Sequence, residues 1–129
     1  MNKDKKQQPT ASELAILAIL WDRGPLSVKV IHEKLSEEKE VVYTTILKTM
    51  QVMMDRGFLD RESQGRKHIY RAIIEREDTQ DSLLDSFMNR AFGGSAKALA
   101  MRALGNYRTS KEDLAELKAL INKIENEDQ

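Results

Sequence analysis

Apolar residues in the first third of the chain recur every three or four positions, the mark of helices packed on one face. Leu14, Ile16, Leu17, Leu20 and Trp21 predict a first helix, which Gly24-Pro25 ends. Thr10-Ala-Ser-Glu13 fits a capping box at its start, the Thr10 hydroxyl and the Glu13 carboxylate each satisfying an orphan backbone N–H. Ser27 can cap a shorter second helix whose stripe is Val28, Ile31 and Leu35. The third helix opens on Val-Val-Tyr-Thr-Thr (41–45). On a wheel at about 100° per residue, Val42, Ile46, Leu47, Met50, Met53 and Met54 share one arc, with Tyr43 inside it. Thr44, Thr45, Lys48, Gln51 and Asp55 lie opposite, and Gly57 suits the position just past the helix end. The start of this helix is anomalous. β-Branched and aromatic residues are mediocre helix formers, and Val42 offers no acceptor for a cap.

Beyond Gly57 the period drops to two. Phe58–Glu62 and His68–Ile73, joined through Ser63-Gln-Gly-Arg-Lys67, predict two strands about a Gly-containing loop with Arg66 and Lys67 at its tip. Three helices followed by a basic hairpin is the element order of a winged helix-turn-helix. The chain is therefore expected to be mainly α with a small β-hairpin: a winged helix-turn-helix over 8–75, a three-helix segment over 76–126, and flexible tails at 1–7 and 127–129. In the back half Leu83, Leu84, Phe87, Met88 and Phe92 share a helix face for which Thr79 is the cap candidate. Gly93-Gly94 breaks that helix, Ser95 can cap an Ala-rich one ending near Gly105, and Ser110–Asp113 forms a second cap signature. Leu114, Leu117, Ile121 and Ile124 then follow the 3-4-3 spacing of a narrow seam. The stripe formed by Leu84, Phe87, Met88, Phe92, Leu114, Leu117, Ile121 and Ile124 has two readings, an intramolecular core or a dimer interface. About 50 residues in three helices make a thin core alone, which favours sharing it with a second copy.

Composition narrows the function classes. The chain has 129 residues, 40% apolar and 33% charged, with no cysteine. Disulfides, thiolate metal sites and cysteine nucleophiles are excluded together, and a reducing cytoplasm fits. Leu14–Trp21, the longest apolar run, is far below the roughly 18 residues of a membrane span, so no membrane insertion is expected. His32, on a helix surface beside Glu33 and Lys34, and His68, in the hairpin, have no second His at i+3 or i+4. No Gly-rich phosphate loop or G-x-S-x-G elbow appears. An enzyme, a metal site and a cofactor are all unexpected. Net charge is zero, but residues 1–74 carry 13 Lys+Arg against 10 Asp+Glu and residues 75–129 carry 8 against 11. A mildly basic front and an acidic back suggest two tasks.

A helix-turn-helix lays its second helix in the major groove, where base edges meet residues near that helix's N-terminus. Thr44, Thr45 and Lys48 suit that position: Thr bonds to several bases or packs its methyl on thymine, and Lys reaches guanine or phosphate. The hydroxyls of Tyr43 and Thr49 can serve phosphates. Arg61, Arg66, Lys67, His68 and Arg71 gather in the hairpin, where tip cations can sit on phosphates or in the minor groove. Taken singly, each feature also fits a solvated helix face or a charged loop. Together they are more specific. The rival reading is a winged helix serving as a protein–protein interaction module without DNA binding.

These stretches resemble the penicillinase-repressor and methicillin-resistance-repressor (BlaI/MecI) family over about residues 8 to 126. The Tyr43-Thr44-Thr45 opening, Gly57-Phe58-Leu59, Gly65-Arg66 with Tyr70, and Phe92-Gly93-Gly94-Ser95 carry the resemblance. It implies a homodimeric repressor on a palindromic double-stranded DNA operator, with Tyr43, Thr44, Thr45, Lys48 and Thr49 on the recognition helix and Arg66 and Lys67 on the wing. It also implies that the C-terminal helices clasp the partner. Copper-responsive relatives use a C-terminal Cys-x-Cys hook, which this chain lacks. Penicillinase-type repressors resemble proteins inactivated when a sensor metalloprotease cuts an Asn-Phe bond in the dimerisation region. Arg102-Ala103 occupies that place here, and Asn106-Tyr107 is the nearest Asn-aromatic pair. The scissile bond is therefore open between these two.

Overall fold

The computed structural model describes residues 8–128, so the tail expected at 1–7 lies outside the described residues, as does Gln129. Among them are six α-helices and a three-stranded antiparallel sheet. Helix α1 (Ala11–Arg23) carries the full capping box. Glu13 N donates to Thr10 Oγ1 at 3.2 Å and Thr10 N to Glu13 Oε1 at 2.8 Å. It stops at Gly24, whose φ of 84° is open to glycine and strained for other residues. Strand β1 (Leu26–Ser27) leads into α2 (Val28–Leu35), capped by the Ser27 hydroxyl accepting from Val30 N. Helix α3 (Tyr43–Asp55) follows, then β2 (Leu59–Gln64) and β3 (Lys67–Ala72).

β3 is the central strand of the sheet. It pairs with β2 from Leu59↔Ala72 to Gln64↔Lys67, and with β1 through Leu26↔Tyr70 and Ser27↔Ile69. The hairpin lies where the period-two pattern predicts it, but its strands continue through Ser63-Gln64 and start at Lys67, so the turn is Gly65-Arg66 and not the loop expected over 63–67. The third strand is an addition, because two residues between a Pro and a helix cap are too short to show alternation. Its pairing welds the α1–α2 turn to the wing.

The core lies between α1, α2, α3 and the sheet. Ile16, Leu17 and Leu20 meet Val28 and Ile31, then Ile46, Met50 and Met53, with Phe58, Leu59 and Tyr70 closing the sheet side. The helical periodicity found these residues because burying one stripe per helix is what stabilises a small three-helix unit. Two residues on the expected apolar arc do not join it: Val42 is 63% exposed and Tyr43 42%.

Helix α4 (Arg76–Ala91) begins earlier than the sequence suggests, so Thr79 is not its cap. Thr79 is buried within the helix, its hydroxyl donating to the Glu75 carbonyl at 2.9 Å. The acidic first turn, Glu77 and Asp78, favours the helix dipole and lets the helix start ahead of it. Gly93 and Gly94, at φ 55° and 79°, end this stretch. Ser95 caps α5 (Ala96–Asn106) through Ala98 N, and Ser110 caps α6 (Lys111–Glu127) through Asp113 N. Glu127 is thus helical and Asp128 is the helix C-cap, so of the expected tail at 127–129 only Gln129 is left beyond the described residues. The chain divides into two compact units at Asp85/Ser86, a point inside α4.

Candidate nucleic-acid interface

The N-terminal end of α3 is built without a conventional cap. Val42 is extended at φ −76°, ψ 132°, and makes no side-chain hydrogen bond to the first turn. A side chain from α2 holds this end instead. His32 Nε2 donates to the Val41 carbonyl at 2.7 Å. The imidazole also meets the Tyr43 ring edge-on, centroids 5.4 Å apart at 77°, a favourable aromatic arrangement. The sequence places His32 on a helix surface and gives it no task. The only signal for it is an uncapped Val-Val entry (41–42) one turn of chain away.

Thr44, Thr45 and Lys48 are all exposed, as their arc predicts. Thr49 is half-buried and its hydroxyl donates to the Thr45 carbonyl at 2.8 Å, so its proton is already used. Tyr43 and Leu47 form one wall of an open groove of about 410 Å³, with Lys29 and Val30 of α2 beside them and Arg66, Lys67 and His68 on the hairpin side. The structure thus brings the helix start and the wing tip to one concavity, and adds Lys29, which the sequence reading did not single out.

The hairpin cations separate into two groups. Arg71 pairs with Asp60 across the strands at 3.0 Å, and Arg61 donates to the Tyr70 hydroxyl at 3.2 Å. The Arg71 guanidinium, helped by the Arg61 backbone N–H, holds the Asp60 carboxyl below its usual value. His68 Nδ1 lies 3.3 Å from Ser63 Oγ. Arg66, in the turn with Gly65 (φ 65°), and Lys67, the first residue of β3, form no ion pair among the described residues.

The far end of α3 is fixed by a contact that motif reading missed. Arg56, its C-cap, reaches Glu13 Oε1 at 2.6 Å, donates to the Gln8 carbonyl at 3.0 Å and lies over the Phe58 ring at 4.6 Å. The capping-box carboxylate is thereby also the buried partner of an arginine, its side chain only 5% exposed.

The second compact unit has a different character. None of its described residues, 86–128, is buried. Phe87 is 61% exposed, Ile121 55% and Ile124 49%; Leu114 and Leu117 are also exposed, while Met88 and Phe92 are half-buried. Leu84, on the preceding part of α4, is exposed too. An open groove of about 520 Å³ lies between α5 and α6, lined by Leu104, Tyr107, Leu117 and Leu120 among others. Of the two candidate cleavage bonds, Arg102-Ala103 lies inside α5. Asn106-Tyr107 lies at its end, where Tyr107 is extended at φ −123°, ψ 145° and 76% exposed.

No group of three or more His, Cys, Asp or Glu among the described residues is placed to hold a metal ion, and no helix there is long and apolar enough to cross a membrane.

A family model described as penicillinase repressor matches residues 9–123. The chain is similar to the methicillin resistance regulatory protein MecI of Staphylococcus aureus (strain N315), with 22% identity over 93% of this chain and 98% of the relative. The penicillinase repressor of Bacillus licheniformis shares 23% identity over 95% of each chain, and the transcriptional regulator BlaI of Mycobacterium tuberculosis 26% over 83% of each. Among solved structures it is similar to a transcriptional regulator from Thermotoga maritima, with a TM-score of 0.50 and 17% identity over 88% of this chain and 77% of that one, a likeness of fold.

Proposed function

The chain belongs to the penicillinase repressor family, whose members are transcriptional regulators and not enzymes, and from that premise we propose that it binds a palindromic double-stranded DNA operator as a homodimer and represses transcription there. The observation that carries this reading is the groove shared by the start of α3 and the wing tip, with Thr44, Thr45 and Lys48 exposed on the helix and Arg66 and Lys67 on the hairpin in no ion pair among the described residues. Thr44, Thr45 and Lys48 read base edges and the Tyr43 hydroxyl serves a phosphate, whereas the Thr49 hydroxyl, its proton on the Thr45 carbonyl, has none to give one. Arg66, Lys67 and Lys29 neutralise phosphates.

Dimerisation rests on the second unit. A helical unit with no buried residue among those described has little of the apolar burial that stabilises a fold, so Leu84, Phe87, Met88, Phe92, Leu114, Leu117, Ile121 and Ile124 form the shared core of two copies. Two-fold symmetry then places one winged helix on each half-site. Release from DNA follows cleavage of this unit by a sensor metalloprotease, as the family resemblance implies. Asn106-Tyr107 is the better candidate of the two bonds, because its tyrosine is already extended and exposed, whereas cutting Arg102-Ala103 requires α5 to unwind first.

Footprinting on the region upstream of the chain's own gene tests the reading. Protection of a two-fold symmetric site, lost steeply as salt rises, is the expected result. A protein that protects no sequence and binds duplex only at low salt is an interaction module and not a repressor.

A further inference from the structure

At the position where a Ser, Thr or Asp would bond to the first turn of α3, the chain carries Val42, and that valine is 63% exposed. Its neighbour Val41 packs against the core, as alternation along extended backbone requires, so Val42 falls on the opposite side. It therefore stands beside exposed Thr44 and Thr45 at the end of the helix that approaches bases. An apolar side chain there gains nothing from the core and leaves α3 uncapped. The His32 contact to the Val41 carbonyl holds the entry without asking anything of Val42. We propose that Val42 is a specificity-determining residue whose methyl groups pack on the C5-methyl of a thymine in the operator half-site. The inference rests on the reading of this chain as a DNA-binding dimer and deepens it. Of the four ordinary bases thymine alone presents a methyl in the major groove, so an apolar contact there separates T from the other three.

The test compares full-length wild type, Val42→Ala and Val42→Ser on the operator obtained by selection from random duplex. Each protein is also tested on the same duplex made with deoxyuridine in place of thymidine, which removes only the methyls. Wild type loses about fourfold in affinity per half-site on the uracil duplex from this contact, the equivalent of one buried methyl. Both variants bind the thymine operator more weakly than wild type and show a smaller loss on going to uracil. Val42→Ser also supplies the missing cap, so its melting temperature rises by about 4 °C while its operator affinity falls, opposite signs that a purely structural role cannot give. Equal uracil penalties in all three proteins overturn the assignment, as does undiminished operator affinity in both variants. Wild type that selects no duplex overturns the DNA-binding reading itself, a result distinct from either.

Discussion

Lys48 and Arg66 are both exposed cations on the first compact unit, yet they answer to different experiments. Lys48 lies one turn from Thr44 and Thr45 on α3, so Lys48→Ala is expected to cost about 1–3 kcal/mol on the selected operator and little on random duplex. Arg66, at the hairpin turn, is proposed to neutralise a phosphate, so Arg66→Ala is expected to weaken binding to every sequence and to lower the salt slope by about one. Gel shifts at several salt concentrations separate the two. Asp60 has a pH signature of its own. Arg71 and the Arg61 N–H hold its folded pKa below the ordinary 3.8, so the carboxylate's contribution to the hairpin is complete above that value. It is lost as pH falls through the lowered one. Asp60→Asn removes that acid step from a titration of the hairpin amide signals by NMR. A step that persists in the variant belongs to another carboxyl. The type and number of the hairpin cations were legible in the sequence. Which of them were spoken for was not, because the Asp60–Arg71 pair depends on strand register.

At the scale of elements, α3 is anchored at both ends by residues of other helices. His32 of α2 holds the carbonyl just before it, and Glu13 of α1 holds the arginine that caps its far end. Arg56→Ala leaves the Glu13 carboxylate buried without its cation, which costs about 3 kcal/mol of unfolding free energy. Urea denaturation of the single variant and of Arg56→Ala/Glu13→Gln measures this. The double variant recovers part of the loss if desolvation of the unpaired charge is its source. Element types and most boundaries followed from periodicity and caps, since Thr10, Ser27, Ser95 and Ser110 each accept the expected backbone N–H. The error at Thr79 has the same physical origin as the successes. A hydroxyl that can cap can also bond back to the carbonyl four residues earlier inside a helix, and local sequence does not choose between them.

At the scale of the whole molecule, the contrast between a cored first unit and a second unit with no buried residue among those described sets the expectation of a dimer. Ile121→Glu places a charge in the proposed shared core while leaving the winged helix intact. Sedimentation velocity is expected to show the mass of one chain, with operator affinity falling by about 30-fold or more as the second half-site contact is lost. A variant that remains dimeric and binds normally moves the interface away from α6.

By itself the sequence determined the order of elements, the apolar stripes and the Thr/Lys arc of α3, because spacing along a helix or strand is a local property that fixes which side chains share a face. It also marked the family, through Tyr43-Thr44-Thr45, Gly65-Arg66 and Phe92-Gly93-Gly94-Ser95. Only the tertiary structure decided that Val42 is left outside the core, that His32 ties down the Val41 carbonyl ahead of an uncapped helix, that β1 joins the wing, and that Glu13 meets Arg56. Those contacts join residues from 9 to 44 positions apart in the chain, at distances set by how the helices pack, and no periodicity in a one-dimensional pattern encodes them.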